Sequence, residues 1–403
     1  MPKLLQINAT ANWGSTGRIA EQIGLAAMAS GWESYIAYGR NHNSSESNLI
    51  RIGSSIGVGL HVIKARLFDA AGLGSSRATK RLIRQIERIR PDVVQLHNIH
   101  GYYLNYKLLF EYLNGTDIKV VWTFHDCWAI TGHCAHFVEA GCEKWQNRCY
   151  ACPLYKRYPS SLRDGSQRNY LWKKSCFSGC NNLQIVSLSD WGKQCIMLSY
   201  LADKSISVIP NGVNLTTFSN RKVSEDMPPK DKRFVILGVA TQWKEGKGLE
   251  DYLQLSRMLK DDEIIVMVGV TRKQKKLLPS NVIGYETISS QMELSQIYSQ
   301  ADVLISLSYA ETFGMTIVEA AACGTPSVVY DNTAQKSLVT KDTGELVPTG
   351  DVEAVYNAIQ IVRRYGKEHY REACRARAER LFDKDKCFEK YISLYESLLA
   401  DKN

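Results

Sequence analysis

Nowhere in these 403 residues does an apolar run approach the roughly 18 residues that a membrane-spanning helix needs. The opening stretch, MPKLLQINATANWG, has an apolar core too short for a secretory signal and reads as a first strand, which predicts a protein that stays in the cytoplasm. Acidic residues are scarce in one window: from Arg51 to Arg90, nine Lys or Arg stand against two acids. Aromatics are scarce there too, Phe68 being the only one. A nucleic-acid-binding surface interleaves its cations with aromatics. That shortage counts against a basic, zinc-bearing nucleic-acid binder, the reading that the net charge of +9 otherwise invites. Only one D-x-D occurs, Asp383-Lys-Asp385, and its place at the start of the last helical stretch makes it a helix-start feature.

What is present is the composition of a soluble globular protein, 44% hydrophobic and 23% charged, in a chain long enough for two domains. Within the basic window, HVIKARLFDAAGL and ATKRLIRQIERIR carry apolar residues at helical spacing with basic residues between them. Such a face is either solvated or rests on anionic lipid headgroups.

The chain is organised around Ser306 to Val329. An apolar strand, Asp302-Val-Leu-Ile-Ser-Leu-Ser308, leads through a loop holding Glu311 into a helix carrying Glu319, and a Gly-Thr-Pro turn feeds a second β-branched strand. At the helix start the backbone N–H groups of Phe313, Gly314 and Met315 are expected to form an anion site suited to a phosphate, with Thr316 following. Gly314 lacks a Cβ, so a ligand can come close to the backbone. Glu319 is placed to accept two hydrogen bonds from a vicinal diol such as a ribose.

From Glu311 to Pro326 the residues match E-x-F-G-x4-E-A-x-A-x-G-x-P. This resembles the retaining nucleotide-sugar glycosyltransferases of family 4, in particular the capsule, exopolysaccharide and lipopolysaccharide branch. The resemblance implies an α/β fold of two Rossmann-like domains facing across a cleft (GT-B), with a C-terminal helix crossing back to the first domain. It implies transfer of a sugar from a nucleotide diphosphosugar, UDP- or GDP-linked, to a saccharide or lipid-linked acceptor. It also makes peripheral contact with an anionic membrane an expectation. Glu311 would hold and polarise the sugar, and no metal is required for that role.

Other segments join this frame. Gly14-Ser15-Thr16-Gly17 is expected as a loop before a helix from about Arg18 to Ser30, resembling the family's loop beneath the donor diphosphate. Strands ending in His97-Asn-Ile-His100 and in His125-Asp126 place these residues where an open parallel sheet binds ligands. His125 matches the family's strand-end T-x-H beside the transferred sugar, while His97 and His100 are open between structural and ligand roles. Ile209-Pro-Asn-Gly-Val213 matches the family's interdomain link. In the loop Ala240 to Gly248, Lys247 is placed to neutralise the leaving diphosphate. The family has an Arg where this chain has Gln242, and Lys244 is a candidate replacement. Tyr285 is a candidate cover for the nucleotide base.

Cys134, Cys142, Cys149 and Cys152, with His133 and His136 alongside, form a cluster within 132–153. In a cytosolic protein this spacing points to a structural zinc, with packed free thiols as the alternative. The domains are expected at 1–214 and 215–385, the first binding acceptor and the second nucleotide sugar, with 386–403 as the returning helix. A nucleotide-sugar 2-epimerase of the same architecture is the competing enzyme reading.

Overall fold

The structure, a computed structural model, describes residues 1–221, 233–244, 246–288 and 290–400. The chain forms two compact units, Met1–Pro210 with Phe388–Asn403, and Asn211–Cys387. The junctions thus fall at 210/211 and 387/388, where the sequence reading places 214/215 and 385/386.

The first unit is built on short β-branched runs separated by amphipathic helices, the pattern of a parallel sheet covered on both faces. Its seven strands are β1 (Lys3–Asn8), β2 (Glu33–Tyr38), β3 (Asn48–Arg51), β4 (Val93–Leu96), β5 (Lys119–Phe124), β6 (Leu183–Ser187) and β7 (Ser205–Val208). They pair in parallel in the order β3-β2-β1-β4-β5-β6-β7. The order reverses between β1 and β4, and loops following those two strands open at the switch point, where such sheets bind ligands.

Three helices matter below: α1 (Gly14–Ala29), α2 (Ser55–Phe68) and α3 (Ser76–Ile89). On one sheet face, Leu4, Val93, Val121 and Val186 pack against Ile19 and Ile23 of α1 and against Phe388, Tyr391, Ile392 and Tyr395. Those four belong to the final helix, Lys384–Ala400. Each is nearly fully buried, which contributes on the order of 2 kcal/mol apiece. Two hydroxyls fix the register: Tyr395 donates to Gln95 Oε1 at 3.1 Å, and Tyr391 pairs with the Thr123 hydroxyl at 3.2 Å.

The second unit holds β8 (Phe234–Val239), β9 (Glu263–Val268), β10 (Val282–Tyr285), β11 (Val303–Ser306), β12 (Ser327–Tyr330) and β13 (Gly344–Val347). Their order is β10-β9-β8-β11-β12-β13, all parallel, with the switch point between β8 and β11. Two parallel doubly wound sheets are the architecture that the motif frame implies.

The sequence expectation differs at the start of α1, which begins at Gly14 rather than Arg18. The glycines form its first turn because the preceding loop folds back on it. Asn12 N–H donates to the Gly17 carbonyl at 3.1 Å, and a Cβ on Gly17 would stand 2.7 Å from Thr10 Oγ1.

Candidate functional site

In the second unit the loops after β8 and β11 bring Lys247 and Glu311 together as a hydrogen-bonded ion pair. Backbone packing sets this up. Gly248 has φ +70°, and a Cβ there would lie 2.2 Å from the Leu307 carbonyl oxygen, so only glycine lets the first loop press on the end of β11. Tyr309 N–H then donates to the Gly246 carbonyl at 2.9 Å and ties the loops together. Both charged side chains keep partial solvent access, Lys247 at 37% and Glu311 at 20%, so an entering anion can reach the ammonium.

A second layer holds the Glu311 loop from behind. The Glu311 N–H donates to Thr333 Oγ1 at 3.0 Å, and the Ala334 N–H donates to the Glu311 carbonyl at 3.2 Å. Gln335 is fully buried; its Nε2 donates to the Ser308 carbonyl at 2.8 Å and its Oε1 accepts from the Ser306 hydroxyl at 3.0 Å. Sequence reasoning missed Thr333 and Gln335. Both lie beyond the Glu311–Pro326 frame.

The helix Met315–Ala322 starts at Gly314, whose φ is +111°, and no side chain caps it. Its first N–H groups, those of Met315 and Thr316, therefore have no intrahelical acceptor. The Phe313 ring points inward, buried and edge-on to Phe382 at 5.7 Å, so that residue offers a ligand its backbone alone. Glu319 is half-buried and its Oε2 accepts from the Tyr298 hydroxyl at 2.8 Å, which orients the carboxylate. The Tyr285 hydroxyl is buried without a hydrogen-bond partner among the described residues. Gln242 and Lys244 are exposed on the turn that carries Lys247, where the Lys247 N–H donates to the Lys244 carbonyl at 3.2 Å. Trp243 anchors that turn by donating from its indole N–H to the Val268 carbonyl at 2.9 Å.

In the first unit, α1 also starts without a side-chain cap. Thr16 Oγ1 accepts from Asn8 Nδ2 at 3.3 Å, while Gly14 and Ser15 lie at the helix start. The histidines form a relay. Gln6 Nε2 donates to the Ala20 carbonyl at 2.7 Å, which leaves Gln6 Oε1 to face His97 Nε2 at 3.0 Å. His97 therefore carries its hydrogen on Nε2 and accepts at Nδ1. His125 Nε2, 3.0 Å from that Nδ1, is the donor, so the lone pair of the His125 imidazole is on Nδ1. Burial holds both rings neutral: His97 lies well below the ordinary histidine range and His125 falls to about 4. His100 is buried between the Asp126 carboxylate at 2.8 Å and the Tyr158 hydroxyl at 3.2 Å. His100 also holds the Asp126 carboxyl well below the usual carboxylate range, against the effect of burial.

Cys134, Cys142, Cys149 and Cys152 line one small cavity with Trp145. All four are free thiols, and Cys149 Sγ accepts from the Gly132 N–H at 3.1 Å. His133 is committed elsewhere, its Nδ1 being 2.6 Å from Asp69 Oδ1. Among the described residues no group of three or more His, Cys, Asp or Glu side chains is arranged to hold a metal ion. The four expected cysteines are thus gathered around one cavity as free thiols.

Two family models match: Glycosyltransferase Family 4 over residues 17–217 and Glycosyl transferases group 1 over residues 219–380. The chain is 23% identical to WcaC of Escherichia coli (strain K12), named for colanic acid biosynthesis as a glycosyl transferase, across 98% of this chain and 100% of that one. It is 24% identical to an Escherichia coli UDP-Gal:alpha-D-GlcNAc-diphosphoundecaprenol alpha-1,3-galactosyltransferase, across 50% of this chain and 56% of the other. Among solved structures, sucrose-phosphate synthase from Thermosynechococcus elongatus superposes with a TM-score of 0.75 at 17% identity, covering 100% of both chains. None of these matches supports an epimerase or a nucleic-acid binder.

Proposed function

This chain is a hexosyltransferase of glycosyltransferase family 4 with the GT-B fold, and we propose that it is a retaining enzyme using a UDP- or GDP-linked sugar. Its acceptor is a saccharide or lipid-linked saccharide of surface polysaccharide synthesis. The lipid diphosphate named in the galactosyltransferase relative supports that class of acceptor. The observation that carries the donor reading is the Lys247–Glu311 pair at the β8/β11 switch point, three residues before an uncapped helix start.

A diphosphate entering there meets the Lys247 ammonium and the N–H groups of Met315 and Thr316, and the donor's ribose meets Glu319. The acceptor oxygen bonds to the anomeric carbon as the bond from that carbon to the β-phosphate oxygen breaks. The electron pair leaves on the phosphate, which takes up the acceptor proton. Lys247 stabilises the departing charge. Freed from the cation, Glu311 holds the sugar, Gln242 and Lys244 flank the diphosphate and Tyr285 covers the base. The family resemblance assigns His125 to a sugar hydroxyl and the Gly14–Gly17 turn to phosphate.

No helix of the described residues is long and apolar enough to cross a membrane. With a lipid-borne acceptor, the enzyme works as a peripheral protein on the cytoplasmic membrane face. Thermal unfolding with UDP-, GDP- and ADP-sugars tests the donor reading: a ligand at 100 times its Kd adds about 2.7 kcal/mol. Absence of any shift rejects it. The anomeric configuration of the product, read by proton NMR, tests retention separately.

A further inference from the structure

Large apolar side chains are concentrated on the outside of one helix. On α2, Ile56 is 78% exposed, Leu60 63%, Ile63 56% and Leu67 42%. At about 100° per residue these four fall within about 60° of one another round the helix axis. The only buried residues of α2, His61 and Ala65, lie on the opposite side. The ridge is therefore not core that failed to close. It is a separate face.

The helix that presents this face is firmly held. Gly74 N–H donates to His61 Nε2 at 2.9 Å, and His61 Nδ1 pairs with the Ser75 hydroxyl at 3.0 Å. At the other end Asp69, which caps α2 in a left-handed conformation, binds His133 at 2.6 Å and accepts from Gly165 N–H at 2.8 Å.

Cations border the ridge. Lys64 and Arg66 stand on either side of it by helical spacing, and both are exposed. Next to it, α3 buries Thr79, Leu82 and Ile86 and turns Arg77, Lys80, Arg81, Arg84 and Arg88 to solvent. A groove of about 550 Å³ runs between the two helices, with Ile56 and Leu60 on one wall and Arg77 and Arg81 on the other. An apolar strip set among cations complements a phospholipid surface, where acyl chains lie behind anionic headgroups.

We propose that the α2 ridge, with the cations of α2 and α3 around it, docks this protein on an anionic phospholipid bilayer. The proposal deepens the peripheral-membrane reading above and rests on it, while its test uses no donor sugar. The full chain is sedimented with vesicles of phosphatidylcholine alone, and with vesicles containing one-third phosphatidylglycerol, at low and physiological salt. The expected result is binding to the anionic vesicles, weakened by salt, with little binding to neutral ones. The triple variant Ile56→Ser, Leu60→Ser, Ile63→Ser, altered only at exposed positions, should partition at least tenfold less. Arg77→Glu with Arg81→Glu should lose the preference for anionic lipid. Thermal unfolding at the wild-type temperature confirms that each variant is folded. If the triple variant sediments like the wild type, the docking surface is elsewhere and the membrane reading stands. If the wild type does not sediment at all, both fall. Dimerisation that the triple substitution abolishes, without vesicle binding, assigns the ridge to a second copy of the chain and overturns the proposal.

Discussion

His97 Nδ1 and His125 Nε2 stand 3.0 Å apart, and the hydrogen between them belongs to His125. The Ala20 carbonyl dictates this from two bonds away, because it fixes the amide orientation of Gln6 and hence the tautomer of His97. Nitrogen-15 NMR should find His97 as the Nε2–H form and His125 likewise. Gln6→Glu places a carboxylate against His97, favours its protonated form and puts a second hydrogen on Nδ1. His125 must then turn its donor away, and transfer should fall by at least tenfold at neutral pH with donor affinity little changed. An unaltered rate in Gln6→Glu would remove the relay from catalysis.

The same pair carries a pH dependence whose sign follows from burial. Both histidines titrate below the unfolded value of 6.5 in the native state, His125 at about 4. Above pH 6.5 neither state binds the proton and their contribution is fully present. As pH falls below 6.5 the unfolded chain takes up protons that the native chain refuses, so stability declines towards pH 4. For His125 the loss reaches about 3 kcal/mol. Urea midpoints at pH 7.5, 6 and 5 should show a steeper decline for the wild type than for His125→Gln.

Much of this was legible in the sequence because it is local. The Glu311 to Pro326 frame contains its own strand end, loop, helix and turn, and the structure places them in that order. The relay was not legible. His97 and His125 are 28 residues apart and meet only because β4 and β5 lie side by side in parallel, with Leu96 opposite Trp122. No local pattern encodes that register. The edge strand β3 was missed for a different reason: its four residues, Asn48–Arg51, are partly exposed and too few to show a period. Cysteine spacing gave the clustering of four thiols around one cavity.

Thr333 lies outside the signature and holds Glu311 through one hydrogen bond at 3.0 Å. Thr333→Val keeps the shape and removes the acceptor. Its left-handed backbone, at φ +42°, already strains a β-branched side chain, so the substitution adds no new class of strain. The loss of one such bond costs about 1 kcal/mol. Read at Glu311, that should lower kcat about fivefold while the melting temperature moves by only a few degrees. A variant as active as the wild type would show that Glu311 is positioned without it.

Lys247 and Glu311 form an ion pair, so a diphosphate drawn to the ammonium as proposed above competes with the carboxylate. Removing the acid and removing the base should therefore have opposite effects on nucleotide affinity. Glu311→Gln frees the cation and should tighten UDP or GDP binding by about fivefold, the equivalent of about 1 kcal/mol for a partly exposed pair. Lys247→Met removes the attraction and should weaken binding by at least as much. Both variants should nonetheless lose transfer, by roughly 100-fold or more, since each takes away a group proposed above to act on the developing charge or on the sugar. Titration calorimetry with the nucleoside diphosphate, alongside single-turnover transfer, separates the two effects. If affinity falls in both variants, the pair serves to shape the loop and does not gate the phosphate.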